Sequence, residues 1–253
     1  MTSAITIRPL RRTDFPAVEE LIRQAWYDDG CQGCAAATDA WNDSSKEPSD
    51  VGSASRQTPR ERKTRLRRGI HVRNMHRLAA IDLQDALART TTAFVAERDG
   101  RVLGMILGSV RSHITDKQRT RHSIRRNCLA LPLMFSAEGR HGVSDQLAIL
   151  RADRELEHDA GKKYAAEVVL FVVSTSARGM GVGRRLFAHM LHEFRHAGIR
   201  EYFLFTDTTC DYGFYDHRGL ERRAARTMRF PSFTQSDGGK GGAVSFFLYD
   251  GSC

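Results

Sequence analysis

Val168-Val-Leu-Phe-Val-Val-Ser-Thr-Ser-Ala-Arg-Gly-Met-Gly-Val-Gly183 opens on six apolar residues and closes on glycines at 179, 181 and 183. The apolar run is short, β-branched and free of polar alternation, which predicts a strand covered on both faces. Leu186, Phe187, Met190, Leu191 and Phe194 then recur at helical spacing, and Gly198 stands where a left-handed residue ends a helix. Tyr202-Phe-Leu-Phe-Thr206 predicts a second strand. A strand, glycine loop, helix and strand in this order aim backbone N–H groups and the positive end of a helix at one spot. An anion is expected there.

Glycine spacing separates the candidate anions. An ATP-binding P-loop needs Lys-Ser or Lys-Thr after its last glycine, and this chain has Arg184-Arg185. A dinucleotide loop needs glycines at its first, third and sixth positions. Counted from Gly179, the sixth is Arg184, so the loop fails that spacing even though Asp207 could imitate the ribose-binding acid.

Arg178-Gly-Met-Gly-Val-Gly183, after a buried strand and before an amphipathic helix, resembles the acetyl-CoA loop of the GNAT superfamily of N-acetyltransferases. Asp211-Tyr-Gly-Phe-Tyr-Asp-His-Arg-Gly-Leu220 resembles the Phe-Tyr-x-x-x-Gly-Phe segment that closes the cofactor site of that family. Ile5-Thr-Ile-Arg-Pro-Leu10, followed by Asp14 and the apolar Phe15, Val18, Leu21 and Ile22, looks like its first strand and helix. Phe94 to Gly108 resembles its β-hairpin, with Asp99-Gly100 as the two-residue turn. Residues of about 30–70 and 111–150 lie outside the resemblance. The resemblance implies an α/β (α+β) fold: a central mixed, mostly antiparallel twisted sheet with a splayed parallel strand pair, flanked by helices. It also implies acetyl-CoA as cosubstrate and an amine acceptor of unspecified structure.

Thioester aminolysis needs a base for the amine, a donor for the developing oxyanion and an acid for the departing thiolate. An arginine before closely spaced glycines supplies both backbone donors and a permanent charge for the phosphates of coenzyme A. Arg178, Gly179, Met180, Gly181, Val182, Gly183 and Arg184 are therefore expected to bind the cosubstrate. Glu167 begins the apolar strand, where a lone carboxylate among apolar neighbours would be pushed towards useful basicity. Relatives that use a glutamate base carry it at this position, and the competing reading is a strand-end surface glutamate. The resemblance makes Tyr215 the acid, with Tyr212, three residues before it, as the alternative. It also implies that Phe171 supplies the oxyanion N–H and that Val172 and Val173 pair with the pantetheine arm as a strand would. Many relatives carry asparagine seven residues before the tyrosine; here Thr208 stands there.

The chain of 253 residues carries a formal charge of +9. The charge is concentrated: residues 56–77 hold nine Arg or Lys against one Glu, and residues 111–126 hold six against one Asp. Two readings remain open, a solvated face and an attractor for nucleic acid or another acidic partner; the latter in its extreme form makes the chain a non-catalytic binding module. One domain is expected over 1–253, with a mobile insertion at about 36–60 and a basic, poorly matching segment at about 111–150. Asp145 to Ala160 predicts a helix. The last strands, Ala225–Phe230 and Val244–Tyr249 around a Gly238–Gly242 turn, offer an edge for a homodimer. Five cysteines, with no apolar stretch of signal or membrane length, suggest a cytoplasmic protein. Cys31-Gln-Gly-Cys34 has metal spacing but lacks a second pair, and His189, His192 and His196 lie opposite the apolar stripe of their helix, so no metal site is expected. Cys210 lacks a paired base and is not expected to act as a nucleophile.

Overall fold

The computed structural model describes residues 4–27, 59–234 and 240–253. Cys31, Cys34, nearly all of the expected 36–60 insertion and the first residues of the Gly238–Gly242 turn lie outside them. Seven strands form one sheet: β1 (Thr6–Pro9), β2 (Thr92–Arg98), β3 (Arg101–Val110), β4 (Ala166–Val173), β5 (Glu201–Asp207), β6 (Glu221–Thr234) and β7 (Lys240–Ser252). Their spatial order is β1-β2-β3-β4-β5-β7-β6. Among the described residues the sheet is antiparallel except at β4–β5, which is parallel. This is the mixed, mostly antiparallel sheet that the motifs imply.

Strand alternation sorts the side chains to two faces. Phe94, Ala96, Ile106 and Val168 pack with Leu186, Phe187, Met190 and Phe194 of a helix over Val182–His196. Val95, Met105, Leu107 and Val172 point the other way, against a helix over Phe15–Trp26 and a long helix over Pro59–Arg89. The former is α1 and the latter α2. Two further helices, α3 (Asp116–Ala130) and α4 (Ala137–Asp159), precede β4; the Val182–His196 helix is α5, and a single turn at Gly213–Asp216 is α6. Ala152 and Leu156 of α4 cover Phe203, Phe246 and Leu248. On this face α1 and α2 pack on β2, β3 and β4, and α4 packs on β5, β7 and β6, so α2 and α4 meet along a seam.

The local signals act as the sequence predicts. Asp99 (φ 53°) and Gly100 (φ 74°) form the left-handed pair that a tight hairpin requires. Gly198 (φ 74°) ends α5, with the Ile199 N–H donating to the Phe194 carbonyl at 2.9 Å. The expected helix over 145–160 begins eight residues earlier, at Ala137, because Ser136 accepts a hydrogen bond from the Gly139 N–H and caps it. Helix α3 was not legible: it buries no residue of its own, so it carries no apolar stripe.

Gly104 of β3 lies opposite Val173, where a Cβ would sit 2.9 Å from the Val172 carbonyl oxygen. Backbone cannot yield there as a side-chain tip can. Gly104→Ala is expected to cost about 1–3 kcal/mol, read as a lowered urea midpoint; an unchanged midpoint would mean that the two strands separate freely at this point.

Candidate active site

The loop after β4 is built to present donors. The Ser174 N–H donates to the Leu103 carbonyl at 2.8 Å, and a 3-10 turn over Thr175–Ala177 follows, pinned by the buried Ala177. The N–H groups of Arg178 and Met180 donate to carbonyls within that turn. Gly179 (φ 77°) and Gly181 (φ 70°) then adopt the left-handed conformation, and α5 starts without a side-chain cap. Among the described residues, the N–H groups of Gly179, Gly181, Val182, Gly183 and Arg184 find no acceptor. A Cβ at Gly183 would lie 3.3 Å from the Phe171 ring, so glycine also sets how closely α5 approaches β4. Arg178 and Arg184 are exposed and form no ion pair among the described residues, which leaves two cationic charges beside the free donors.

Next to this loop the sheet opens. The parallel ladder runs Ala166↔Tyr202, Glu167↔Phe203, Val168↔Leu204 and stops. Beyond it Phe171, Val172 and Val173 stay paired to β3 through Ile106, Met105 and Gly104, with the register shifting between Val168 and Leu170. Among the described residues their edge towards β5 has no sheet partner, so the three residues expected to bind the cosubstrate line an open gap.

Helix α6 is fixed against this gap by aromatic packing. The Phe214 ring lies 5.5 Å from that of Phe171 and 5.6 Å from that of Phe187, and Arg218 lies over both Phe187 and Phe214 at 4.8 and 4.6 Å. Tyr215 is buried between Phe187 and Tyr249, at 6.1 and 5.8 Å. Its hydroxyl has no hydrogen-bond partner among the described residues. Burial, reinforced by Cys210, Tyr202, Asp211 and Asp207, pushes the phenol above its ordinary value, so it stands neutral and able to donate. Tyr212 turns to the other side, against Phe247 at 5.4 Å and beneath Arg222 at 5.5 Å. Thr208 is spent on β7: its hydroxyl accepts the Ser245 N–H at 3.2 Å. Cys210 is half-buried, accepts the Trp26 indole N–H at 3.5 Å, and has its thiol pushed up by burial, the opposite of an activated nucleophile.

Glu167 differs from both sequence readings. It is 4% exposed, so it is not a surface glutamate, and it is not alone, because Arg89 at the end of α2 forms an ion pair with it. It lies on the face opposite α5, in the seam between α2 and α4. Burial disfavours the Arg89 charge, yet Glu167, Asp85 and Asp153 outweigh burial and hold the guanidinium above its usual value. Asp153 of α4 has neither hydrogen bond nor ion pair among the described residues. Burial raises its carboxyl to about 7, with Arg89 pulling down and Glu167, Asp207 and Asp85 pushing up. Neither Arg89 nor Asp153 is marked by any local signal in the sequence. Arg89 lies far from Glu167 along the chain and Asp153 lies on a separate helix, and no motif connects three elements that meet only in the fold.

The basic segments are partly neutralised from within. Arg111 pairs with Glu157 at 2.6 Å and Arg126 with Asp85 at 2.5 Å. His192 and His196 are exposed and 3.2 Å apart between ring nitrogens, while His189 packs edge-on against Phe94. Among the described residues no group of three His, Cys, Asp or Glu is placed to hold a metal, and no helix is long and apolar enough to cross a membrane.

No curated protein matches the sequence. Among solved structures, the chain is similar to an N-acetyltransferase from Staphylococcus aureus Mu50, at 13% identity, 99% of each chain covered and a TM-score of 0.45. It is similar to the ribosomal-protein-S18-alanine N-acetyltransferase from Escherichia coli, at 12% identity over 98% of this chain and 94% of that one, with a TM-score of 0.43. For Ard1 from Thermoplasma volcanium the identity is 15% over 98% and 97%, with a TM-score of 0.43. The assignment rests on the family model for the acetyltransferase (GNAT) family, which matches residues 61–220, from α2 through the glycine loop to the end of the α6 segment, and runs through the 111–150 region that the motifs left out. By that match, over more than half its length, the chain belongs to the acetyltransferase (GNAT) family.

Proposed function

We propose that the protein transfers the acetyl group of acetyl-CoA directly to a primary amine of a small molecule or peptide. The observation that carries this reading is the run of free N–H groups at Gly179, Gly181, Val182, Gly183 and Arg184, flanked by Arg178 and Arg184. Such a run fits a pyrophosphate, and the open edge of Phe171, Val172 and Val173 fits the amide-bearing arm behind it. Met180 extends the loop as an exposed apolar side chain, while the buried Val182 roots it in the core. In this reading Glu167 takes the proton of the attacking amine, a C–N bond forms as the thioester C–S bond breaks, and Tyr215 gives its proton to the thiolate sulfur. The Phe171 N–H meets the carbonyl oxygen as negative charge develops on it. The free phenol of Tyr215, buried and without a competing acceptor, supports its role.

Calorimetric titration with acetyl-CoA tests the proposal, with NADH as the comparison ligand. Binding of about micromolar Kd is expected, and Gly181→Asp is expected to abolish it, because a carboxylate would stand where the loop gathers its donors. Equal binding to both proteins would remove the loop from the site. Absence of acetyl-CoA binding by the native chain would sink the enzymatic reading.

A further inference from the structure

A cavity of about 230 Å³ lies at the ends of the strands opposite the glycine loop, between the start of α1, the end of α2, the entry to β2 and one face of α3. Thr92, at that entry, pairs with Gly108 at the far end of β3, and Gly108 pairs in turn with Val168 near the start of β4. The glycine loop leaves the other end of β4, so the cavity and the loop are separate places.

Arg12, Arg121, His122 and Arg125 line the cavity, together with the apolar Phe15 and Leu87, and among the described residues no Asp or Glu lines it. Arg121 and Arg125 stand four residues apart on α3 and so share a face. None of the three arginines forms an ion pair among the described residues. Glu19 of α1 feels the Arg125 charge, but it makes no ion pair with it and does not line the cavity. The His122 Nδ1 is held 2.8 Å from the Gln84 side-chain oxygen, which fixes the ring. Burial first, then the charges of Arg121, Arg125 and Arg12, hold this imidazole below its ordinary value. The carbonyls at the end of α2 would repel an anion, yet the Gln118 amide donates to those of Leu87 and Thr90 and spends them. Like charges gathered in a concavity that no described carboxylate lines repel one another, and a multiply charged anion relieves that repulsion.

We propose that this cavity is a second anion site, which takes the doubly charged group of a phosphate monoester, with Arg12, Arg121 and Arg125 as its charge partners and Phe15 and Leu87 as the floor for a short organic part. A phosphate matches this set because its oxygens can accept from several guanidinium forks at once. The size of the cavity suits the phosphate and short organic part of a small molecule.

Calorimetric titration of the full chain with inorganic phosphate and with glycerol 3-phosphate, at low ionic strength, tests the site. Saturable one-to-one binding is expected, weakened about tenfold or more by the double variant Arg121→Ser/Arg125→Ser and retained by Gly181→Asp. Both replaced arginines are exposed, and an unchanged urea midpoint would verify that the variant folds. Tighter binding of glycerol 3-phosphate would identify an organic phosphate that uses the apolar floor; equal binding would identify the free ion. Three results would overturn the proposal: no saturable binding, loss of binding in Gly181→Asp with retention in the double variant, or phosphate displaced by single-stranded RNA across a much larger footprint.

Discussion

Tyr215→Phe is expected to lower kcat by about a hundredfold or more while the affinity for acetyl-CoA stays within error. The ring supplies packing against Phe187 and Tyr249, and phenylalanine keeps it. The hydroxyl has no hydrogen-bond partner among the described residues, so its loss breaks no internal bond and stability should change by less than about 1 kcal/mol. A phenol held above its ordinary value by burial is a poor spontaneous acid in the resting protein, but it becomes an effective donor to a thiolate formed beside it. Steady-state kinetics with calorimetry separate the two quantities. Unchanged turnover would transfer the acid role to Tyr212 or to water.

Glu167→Gln is expected to lower kcat by about a hundredfold, again with acetyl-CoA affinity preserved. Glutamine still offers Arg89 an oxygen but cannot take up a proton. Because the pair is buried on the glutamate side, a cost of about 1–3 kcal/mol should accompany the change, and kinetics must be read on protein whose urea midpoint has been checked. Wild-type turnover in this variant would move proton acceptance to Asp153, the other carboxylate in the seam. Asp153 has its own signature. Its carboxyl is raised to about 7, so the fold favours the protonated form and is penalised as pH rises from the ordinary carboxylate value to about 7. Asp153→Asn should therefore stabilise the protein by about 1–3 kcal/mol near pH 8 and by progressively less towards pH 4. Denaturation at the two extremes reads the difference, and an equal gain at both would show that Asp153 is not desolvated in the folded protein.

Arg89, Asp153 and Glu167 show where reading the chain stops. Each sits on a different element, α2, α4 and β4, Arg89 stands more than sixty positions from the other two, and no spacing rule relates residues across such elements. The carboxylate itself was legible, because its place at the head of the apolar strand is a local property. Its partner was not, and the partner changes the chemistry from an isolated buried acid to one member of a charged group.

The cavity beside α3 illustrates the same division. The concentration of arginine over 111–126 is plain in the sequence, and there it reads first as a solvated face. The fold sorts those charges by where each one lands: Arg111 and Arg126 pair with Glu157 and Asp85, whereas Arg121 and Arg125 line one cavity with Arg12.

By itself the sequence determined the elements and the loop: the apolar β4 run, the glycines that must be left-handed, the amphipathic α5 with its glycine stop and the Asp99-Gly100 hairpin. These depend on side-chain periodicity and backbone sterics over a few residues, which any local window contains. Only the tertiary structure decided that β4 and β5 part after Val168, that Tyr215 rather than Tyr212 is buried beside Phe187, and that Glu167 meets Arg89. Those outcomes depend on which faces are covered by elements distant in sequence, and burial and charge pairing exist only once the chain has packed.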